Sequence, residues 1–321
     1  MEKVFENLVK DSKHILIISH VNPDGDTLGC MSALYCAILK NFKKKAQMLV
    51  PSFIPEIYNF LPNICDAKFI KDFDKSREYD LVITVDVAAL DRILDAQILF
   101  SKAKHTVNFD HHKTNINFGE LNFVDPNAGS TGEVIFKTLE KLDWKLNQDT
   151  IDSLYTAILT DTGGFRFENT TSETLDIASK LVKLGVLPKD IYNKCYESKS
   201  KSVVMFQNYV VSKAEFTNDE SIAYSLITKK DLENFGVKES ATDGIAETLR
   251  SIDSTKVSFV VKEIDSKICK VSMRSKEIDV AKVCEEFGGG GHKHAAGCTV
   301  KTSLNDSVKK IIKEIEKQFN Q

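Results

Sequence analysis

The chain has 321 residues, enough for two domains of ordinary size. Hydrophobic residues make up 42% and charged residues 28%, which excludes extended disorder. A net charge of −3, from 43 basic and 46 acidic side chains, excludes the bulk positive field of a tight binder of long DNA. Any nucleic-acid substrate should therefore be short, or held by a local basic patch.

The N-terminal segment 2–11 reads as a short amphipathic helix. The apolar run 14–19 (HILIIS) reads as a strand buried on both faces, the mark of a parallel sheet. A loop over 20–26 leads into a helix over 27–42, where Leu28, Met31, Leu34, Tyr35, Ile38 and Leu39 follow helical spacing. Strands are expected at 46–50, 79–85 (YDLVITV) and 106–109, with a short helix at 55–60. Strands alternating with helices predict an open, doubly wound, mainly parallel α/β sheet.

From Ser130 the pattern turns helical, with helices expected at 131–142, 148–159, 172–184 and 189–196, the last opened by Pro188. A helical linker is expected over 191–215, between a first domain at 1–190 and a smaller α/β domain at 216–321. In the second domain 222–226, 257–262, 268–273 and 296–300 read as strands, and 241–249, 280–286 and 304–319 as helices. The run Lys43-Lys44-Lys45 reads as solvated. Seven cysteines without a Cys-x-x-Cys pair, and an N-terminus lacking the apolar core of a signal peptide, lead to the expectation of a soluble cytoplasmic protein with no membrane segment.

Ligand-type residues gather just past the strand ends: His20, Asp24 and Asp26 after the first, Asp86 after the third, and Asp110, His111 and His112 after the fourth. In open α/β sheets the crevice outside the carboxyl ends of the strands is where ligands bind. A lone Asp after a strand is commonly a turn or helix-cap residue. Four such segments converging, the fourth being Asp161 after the helix over 148–159, is another matter, because crowded carboxylates repel one another unless cations neutralise them. Carboxylates with imidazoles suit manganese, iron, zinc or magnesium, and two divalent ions about 3.5–4 Å apart are the usual arrangement for phosphoester hydrolysis.

The segments His20-Val21-Asn22-Pro23-Asp24-Gly25-Asp26, Val85-Asp86, Asp110-His111-His112 and Thr160-Asp161-Thr162-Gly163-Gly164 resemble, in order, the four motifs of the DHH phosphoesterase superfamily. That superfamily includes RecJ-type exonucleases, family II inorganic pyrophosphatases, exopolyphosphatases and cyclic-dinucleotide phosphodiesterases. The resemblance implies that His20 and Asp24 bind one metal, Asp26, His111 and Asp161 the other, and that Asp86 bridges them. It implies further that Asp110 orients the imidazoles and that His112 faces the substrate phosphate. Every motif position matches. The implied cofactor is a pair of divalent ions, manganese in the usual case, with magnesium, cobalt or iron as substitutes.

In the second domain, Gly288-Gly289-Gly290-Gly291-His292 followed by Ala295-Ala296-Gly297 could be a hinge, or a backbone cradle for an anion. The segment resembles the GGGHxxAAG signature of the DHHA1 domain, the usual partner of a DHH domain. Met273-Arg274-Ser275 resembles another position of that domain, where the arginine meets the substrate. Gly289, Gly290, Gly291, His292, Arg274 and Ser275 are thus the expected substrate contacts, in a cleft between the domains. For Arg274 the plainer reading is a surface ion pair with Glu277, and Phe165 and Phe167 could stack a base or pack in the core.

The two-domain layout resembles the stand-alone nanoRNase or pAp phosphatase group. This implies release of 5′-mononucleotides from very short RNA and dephosphorylation of 3′-phosphoadenosine 5′-phosphate (pAp) to AMP. Related readings are hydrolysis of cyclic di-AMP or pApA, a RecJ-like exonuclease, and a nucleotide-binding sensor, the last of which should have lost a metal ligand. A homodimer is left open.

Overall fold

The computed structural model describes residues 1–319, the side chain of His292 excepted. The chain divides into two compact units, Met1–Ser198 and a second beginning at Lys199.

The first unit is an α/β layer structure. In chain order it contains α1 (Glu2–Asp11), β1 (Ile15–Ile18), α2 (Gly25–Phe42), β2 (Gln47–Val50), β3 (Lys68–Phe69), β4 (Leu81–Val85) and α3 (Gln97–Ser101). β5 (His105–Asp110), β6 (Leu121–Val124), α4 (Thr131–Lys141), α5 (Gln148–Asp161), α6 (Ser172–Lys183) and α7 (Pro188–Tyr196) complete it. The six strands pair in parallel in the order β3-β2-β1-β4-β5-β6. From β1 the chain winds outward through β2 and β3, then returns to β4 on the other side of β1. The strand order therefore reverses between β1 and β4, the point at which open sheets bind ligands outside the strand ends.

The apolar runs alternate between two cores, as a two-sided sheet requires. Ile15 and Ile17 of β1 join Ile83 of β4 beneath α1, α2, α4 and α5. Leu16 and Ile18 face the opposite layer with Val82, Leu99 and Phe100. Phe5 anchors α1 on the sheet, its ring centroid 5.3 Å from that of Phe109 and 5.8 Å from that of Trp144. Truncating such a fully buried Phe costs about 3–5 kcal/mol.

Side-chain caps set where the helices start. Asp24 Oδ1 accepts from Thr27 N at 3.0 Å, Ser130 Oγ from Glu133 N at 3.2 Å, and Asn147 Oδ1 from Thr150 N at 3.1 Å. Each such cap contributes about 1 kcal/mol. Two helices approach closely because Gly25 and Gly29 carry no side chain: a Cβ at Gly25 would lie 2.4 Å from Thr160 Oγ1, and one at Gly29 2.7 Å from Ser153 O.

Several local expectations change. The helix expected at 55–60 is a single 3-10 turn, Glu56–Tyr58. β3, α3 and β6 are additional elements, too short or too mixed in polarity to stand out in the sequence. Lys44 is not a solvated charge: its ammonium donates to the carbonyls of Val9 at 3.0 Å and Ser12 at 2.8 Å, and to that of Lys10, closing the C-terminus of α1.

The second unit contains α8 (Lys201–Ser212), β7 (Glu215–Phe216), β8 (Ile222–Ile227), α9 (Lys229–Phe235), α10 (Ile245–Arg250) and β9 (Val257–Asp265). These are followed by β10 (Ile268–Ser275), α11 (Val280–Glu285), β11 (Gly290–His292), β12 (Ala295–Val300) and α12 (Leu304–Phe319). Its sheet runs β11-β12-β10-β9-β8-β7, antiparallel except for the parallel pair β8–β9. Val271 and Met273 pack with Val283 and Ile311 on one face, while Val260 packs with Phe206 and Ile245 on the other.

The segment expected as a linker is divided between the units. α7 lies in the first, and α8 buries Phe206 and Val210 in the second. Among the described residues no helix is long and apolar enough to cross a membrane.

Candidate metal centre

The carboxyl ends of β1, β4 and β5 and the C-terminus of α5 bring His20, Asp24, Asp26, Asp86, His111, His112 and Asp161 together. Among the described residues three donor groups form, each with ligand atoms within 4.8 Å of one another: His20–Asp24–Asp86, Asp26–His111–Asp161 and Asp86–His111–His112.

Asp86 stands in two of these groups, and its two oxygens face different neighbours. Oδ2 lies 3.3 Å from His20 Nε2, whereas Oδ1 lies 3.9 Å from His111 Nε2 and 3.6 Å from His112 Nδ1. Its backbone holds φ at +61°, a left-handed conformation that Asp tolerates better than bulkier residues do. The amide of Asp86 donates to Phe109 O at 2.8 Å, which fixes this turn against β5.

Asp26 is 1% exposed and sits at the N-terminus of α4, where it accepts from Thr131 N at 2.8 Å and Gly132 N at 3.0 Å. A helix N-terminus is a natural anion site. His111 Nδ1 is 3.1 Å from Ala128 O, which places the proton on Nδ1 and turns Nε2 toward Asp161 Oδ2 at 3.4 Å. His20 Nδ1 is likewise fixed on Val21 O at 2.7 Å.

Asp110, expected to orient the imidazoles, lies beside one of them. Asp110, fully buried, lies 2.7 Å from His112 Nδ1 and also accepts from Asn115. His111 takes its orientation from the Ala128 carbonyl instead.

The electrostatics mark an excess of negative charge. Burial, then the charges of Asp86 and Asp161, pushes the Asp26 carboxyl well above its ordinary range. Burial, then Asp24 and Asp86, does the same to Asp161. Burial works against ionisation of Asp86, but hydrogen bonding to His20 and the neighbouring imidazoles overcome it and lower its pKa. Burial also opposes protonation of His112, yet the bond to Asp110 raises its pKa to about 9. Among the described residues no Lys or Arg forms an ion pair with Asp24, Asp26, Asp86 or Asp161. Carboxylates without Lys or Arg partners, Asp26 and Asp86 among them buried, beside imidazoles whose Nδ1 atoms are already fixed, fit divalent cations.

Two hydroxyls that the motifs did not single out belong to the site. Thr27 Oγ1 lies 2.6 Å from His20 Nε2, 3.0 Å from Asp24 Oδ1 and 2.7 Å from Asp86 Oδ2. Thr131 Oγ1 donates to Asp86 Oδ1 at 3.0 Å. The sequence signal for the second was Ser130-Thr131-Gly132-Glu133, a helix-start pattern beside the ligands. Phe165 packs partly against the first core, and Phe167 is 43% exposed with its ring over Gly163.

In the second unit, Arg274 is in an ion pair, but with a different partner from the one expected. Its Nε donates to Glu247 Oε1 at 2.7 Å, while Glu277 pairs with Lys256 at 2.9 Å. Ser275 is 1% exposed, and its Oγ accepts from Glu277 N and Ile278 N at 3.0 and 2.9 Å, so its hydroxyl supports the turn into α11.

The tetraglycine is not a single open loop. Gly289 donates its amide to Cys284 O at 2.9 Å, and a Cβ there would lie 2.2 Å from Gly297 O. Gly290 and Gly291 pair with Gly297 and Ala296 as β11. Close backbone approach thus accounts for the glycines at 289 and 291, whereas a Cβ at Gly290 would meet nothing within 4 Å. The side chain of His292 lies outside the described residues.

Comparison with known proteins agrees with this layout. The N-terminal domain of the DHH family matches residues 14–158, and the DHHA1 domain matches residues 219–321. A bifunctional oligoribonuclease and PAP phosphatase NrnA of Thermus thermophilus is 28% identical over 99% of this chain and 94% of its own length. The protein of the same name from Bacillus subtilis is 28% identical over 94% of this chain and 93% of its own. The crystal structure of an exopolyphosphatase-related protein from Bacteroides fragilis superposes with a TM-score of 0.93 at 27% identity, covering 98% of this chain and 95% of that one. The chain therefore joins a DHH family N-terminal domain, whose matched residues include His20, Asp24, Asp26, Asp86, Asp110, His111 and His112, to a DHHA1 domain.

Proposed function

We propose that this protein is a two-metal phosphoesterase that releases 5′-mononucleotides from very short RNA and dephosphorylates pAp to AMP. The observation that carries the reading is Asp86, whose Oδ2 faces His20 and whose Oδ1 faces His111, one residue from each proposed site. His20 and Asp24 would hold one cation, Asp26, His111 and Asp161 the other, with Asp86 shared. Bound there, two divalent ions, manganese in our reading, supply the positive charge that neutralises the carboxylates and stabilises the phosphoryl transition state.

The chain's own groups do the rest. Thr27 and Thr131 hold the two Asp86 oxygens in place from opposite sides. Asp110 orients the His112 ring and favours its protonated form, suited to a phosphoryl oxygen. Arg274 is the proposed substrate contact of the second unit, where its guanidinium, steadied by Glu247, suits a phosphate or a base edge. Relatives whose names carry both activities, matched over nearly the whole chain, support the substrate class. Seven unpaired cysteines support a reducing, cytoplasmic setting.

The test is a panel of pAp, pApA, cyclic di-AMP and RNA of two to five nucleotides, each incubated with the protein and manganese. AMP from pAp together with mononucleotides from the short RNAs is the expected result. Turnover of cyclic di-AMP alone would replace this reading with a cyclic-dinucleotide phosphodiesterase, and binding of the panel without turnover would make the protein a sensor.

A further inference from the structure

The segment 128–132, which leads from β6 into the first turn of α4, touches two members of one donor group and reaches the third indirectly. The Ala128 carbonyl fixes His111 Nδ1 at 3.1 Å, and the amides of Thr131 and Gly132 hold Asp26 at 2.8 and 3.0 Å. Asp161 is reached through an intermediary. Asn169 Nδ2 donates to Gly129 O at 2.8 Å and lies 3.1 Å from Asp161 O and 3.3 Å from Asp161 Oδ2. Among the described residues, Asn169 is the one hydrogen-bond donor to that carboxylate.

The position of Gly129 is itself locked. Its amide donates to Glu133 Oε1 at 3.0 Å, and a Cβ there would lie 2.5 Å from the same oxygen and 2.7 Å from Asn169 O. One short segment therefore aligns Asp26, His111 and, through Asn169, Asp161. No hydrogen bond runs from Asn169 to His20 or Asp24.

We propose that Asn169 is a positioning residue that presents Asp161 to the cation shared by Asp26 and His111, so that its loss weakens that site and spares the site of His20 and Asp24. The inference rests on the two-cation reading above. Chemistry explains the residue type. The amide carries two N–H groups, enough for Gly129 O and Asp161 at once, and adds no charge to a region already rich in carboxylates. Groups that orient a metal ligand typically contribute about 10–100-fold to metal affinity.

The test is a manganese titration of the full-length chain, followed by calorimetry and electron paramagnetic resonance, for wild type, Asn169→Asp and Asn169→Ala. Asn169→Asp keeps the shape and replaces the donor with a repelling carboxylate; Asn169→Ala gives the same readout should the Asp variant fold poorly. Wild type should bind two ions per chain and show the spectrum of a coupled pair. The variants should keep one affinity within about 2-fold and lose about 10–100-fold in the other, leaving the six-line signal of isolated manganese at one equivalent. Combining Asn169→Ala with Asp161→Ala should cost no more affinity than Asp161→Ala alone, because Asn169 acts through Asp161. Unchanged affinities, or equal weakening of both in a folded variant, would overturn the role of Asn169. A wild-type chain that binds a single ion would instead overturn the two-cation reading.

Discussion

Gly25 lies between two of the ligand-type residues, Asp24 and Asp26, and packs against the helix that ends in a third, Asp161. In Gly25→Ala the new methyl carbon would sit 2.4 Å from Thr160 Oγ1, 2.6 Å from its Cγ2 and 2.7 Å from its Cβ. Thr160 cannot swing aside freely, because its hydroxyl is bonded to Thr156 O at 2.9 Å and Ala157 O at 3.1 Å. Even with the side chain rotated, its Cβ remains too close, so α2 and α5 must separate by several tenths of an ångström. Overpacking of this kind costs about 1–3 kcal/mol, or roughly 2–12 °C in midpoint for a unit of this size. The same shift moves Asp24 and Asp26 away from Asp161, so manganese affinity should fall together with stability. Thermal unfolding and a manganese titration on the same samples measure both. Thr160→Gly in the Gly25→Ala background should restore part of each. An unchanged midpoint with unchanged metal affinity would refute the claim that helix contact sets the spacing of the ligands.

Thr131→Val removes the hydroxyl bonded to Asp86 but keeps the amide bonded to Asp26, so it should weaken manganese binding about 10-fold at little cost in stability; a titration and a thermal melt separate the two effects. Asp80 accepts from Lys104 Nζ at 2.7 Å and from the amides of Lys13 and His14 at 3.0 and 2.9 Å, and these bonds hold its carboxyl well below the ordinary range, Lys104 most of all. A depressed carboxyl contributes stability above its unfolded pKa of about 3.9 and loses it as pH falls. Asp80→Asn should therefore be less stable than wild type at pH 7, and the gap in denaturation free energy should shrink as pH drops below about 4. Arg274→Ala should raise KM for pAp and short RNA with manganese affinity intact; equal loss of both would make the Glu247 pair purely structural.

The sequence exposed the parts of this protein that depend on strong, local patterns. Continuous apolar runs such as HILIIS and LVITV read as buried parallel strands because both their faces are covered, and the alternation of Ile15 and Ile17 against Leu16 and Ile18 bears this out. The ligand-type residues were legible because each stands at a strand or helix end with its neighbours in a fixed pattern. What stayed hidden was long-range. Nothing near Lys44 in sequence announces the C-terminus of α1, and nothing near Arg274 announces Glu247, 27 positions away. Thr131 and Asn169 look like ordinary cap and loop residues until the fold sets them beside Asp86 and Asp161. The close approach of the β12 backbone, which leaves no room for a side chain at Gly289 or Gly291, was likewise hidden. α9 does not stand out in the sequence even though its start carries a reciprocal cap between Thr228 and Asp231, because seven residues are too few to show a helical period.

The central claim is that Asp86 joins two cation sites into one phosphoesterase centre. The direct test is to count bound manganese and measure release of mononucleotides from an RNA dinucleotide, for wild type and for Asp86→Ala with its fold checked by circular dichroism. The account predicts two ions per chain and turnover in wild type, with fewer than two ions and no turnover in the variant. A folded Asp86→Ala protein that keeps two ions and full release would contradict it.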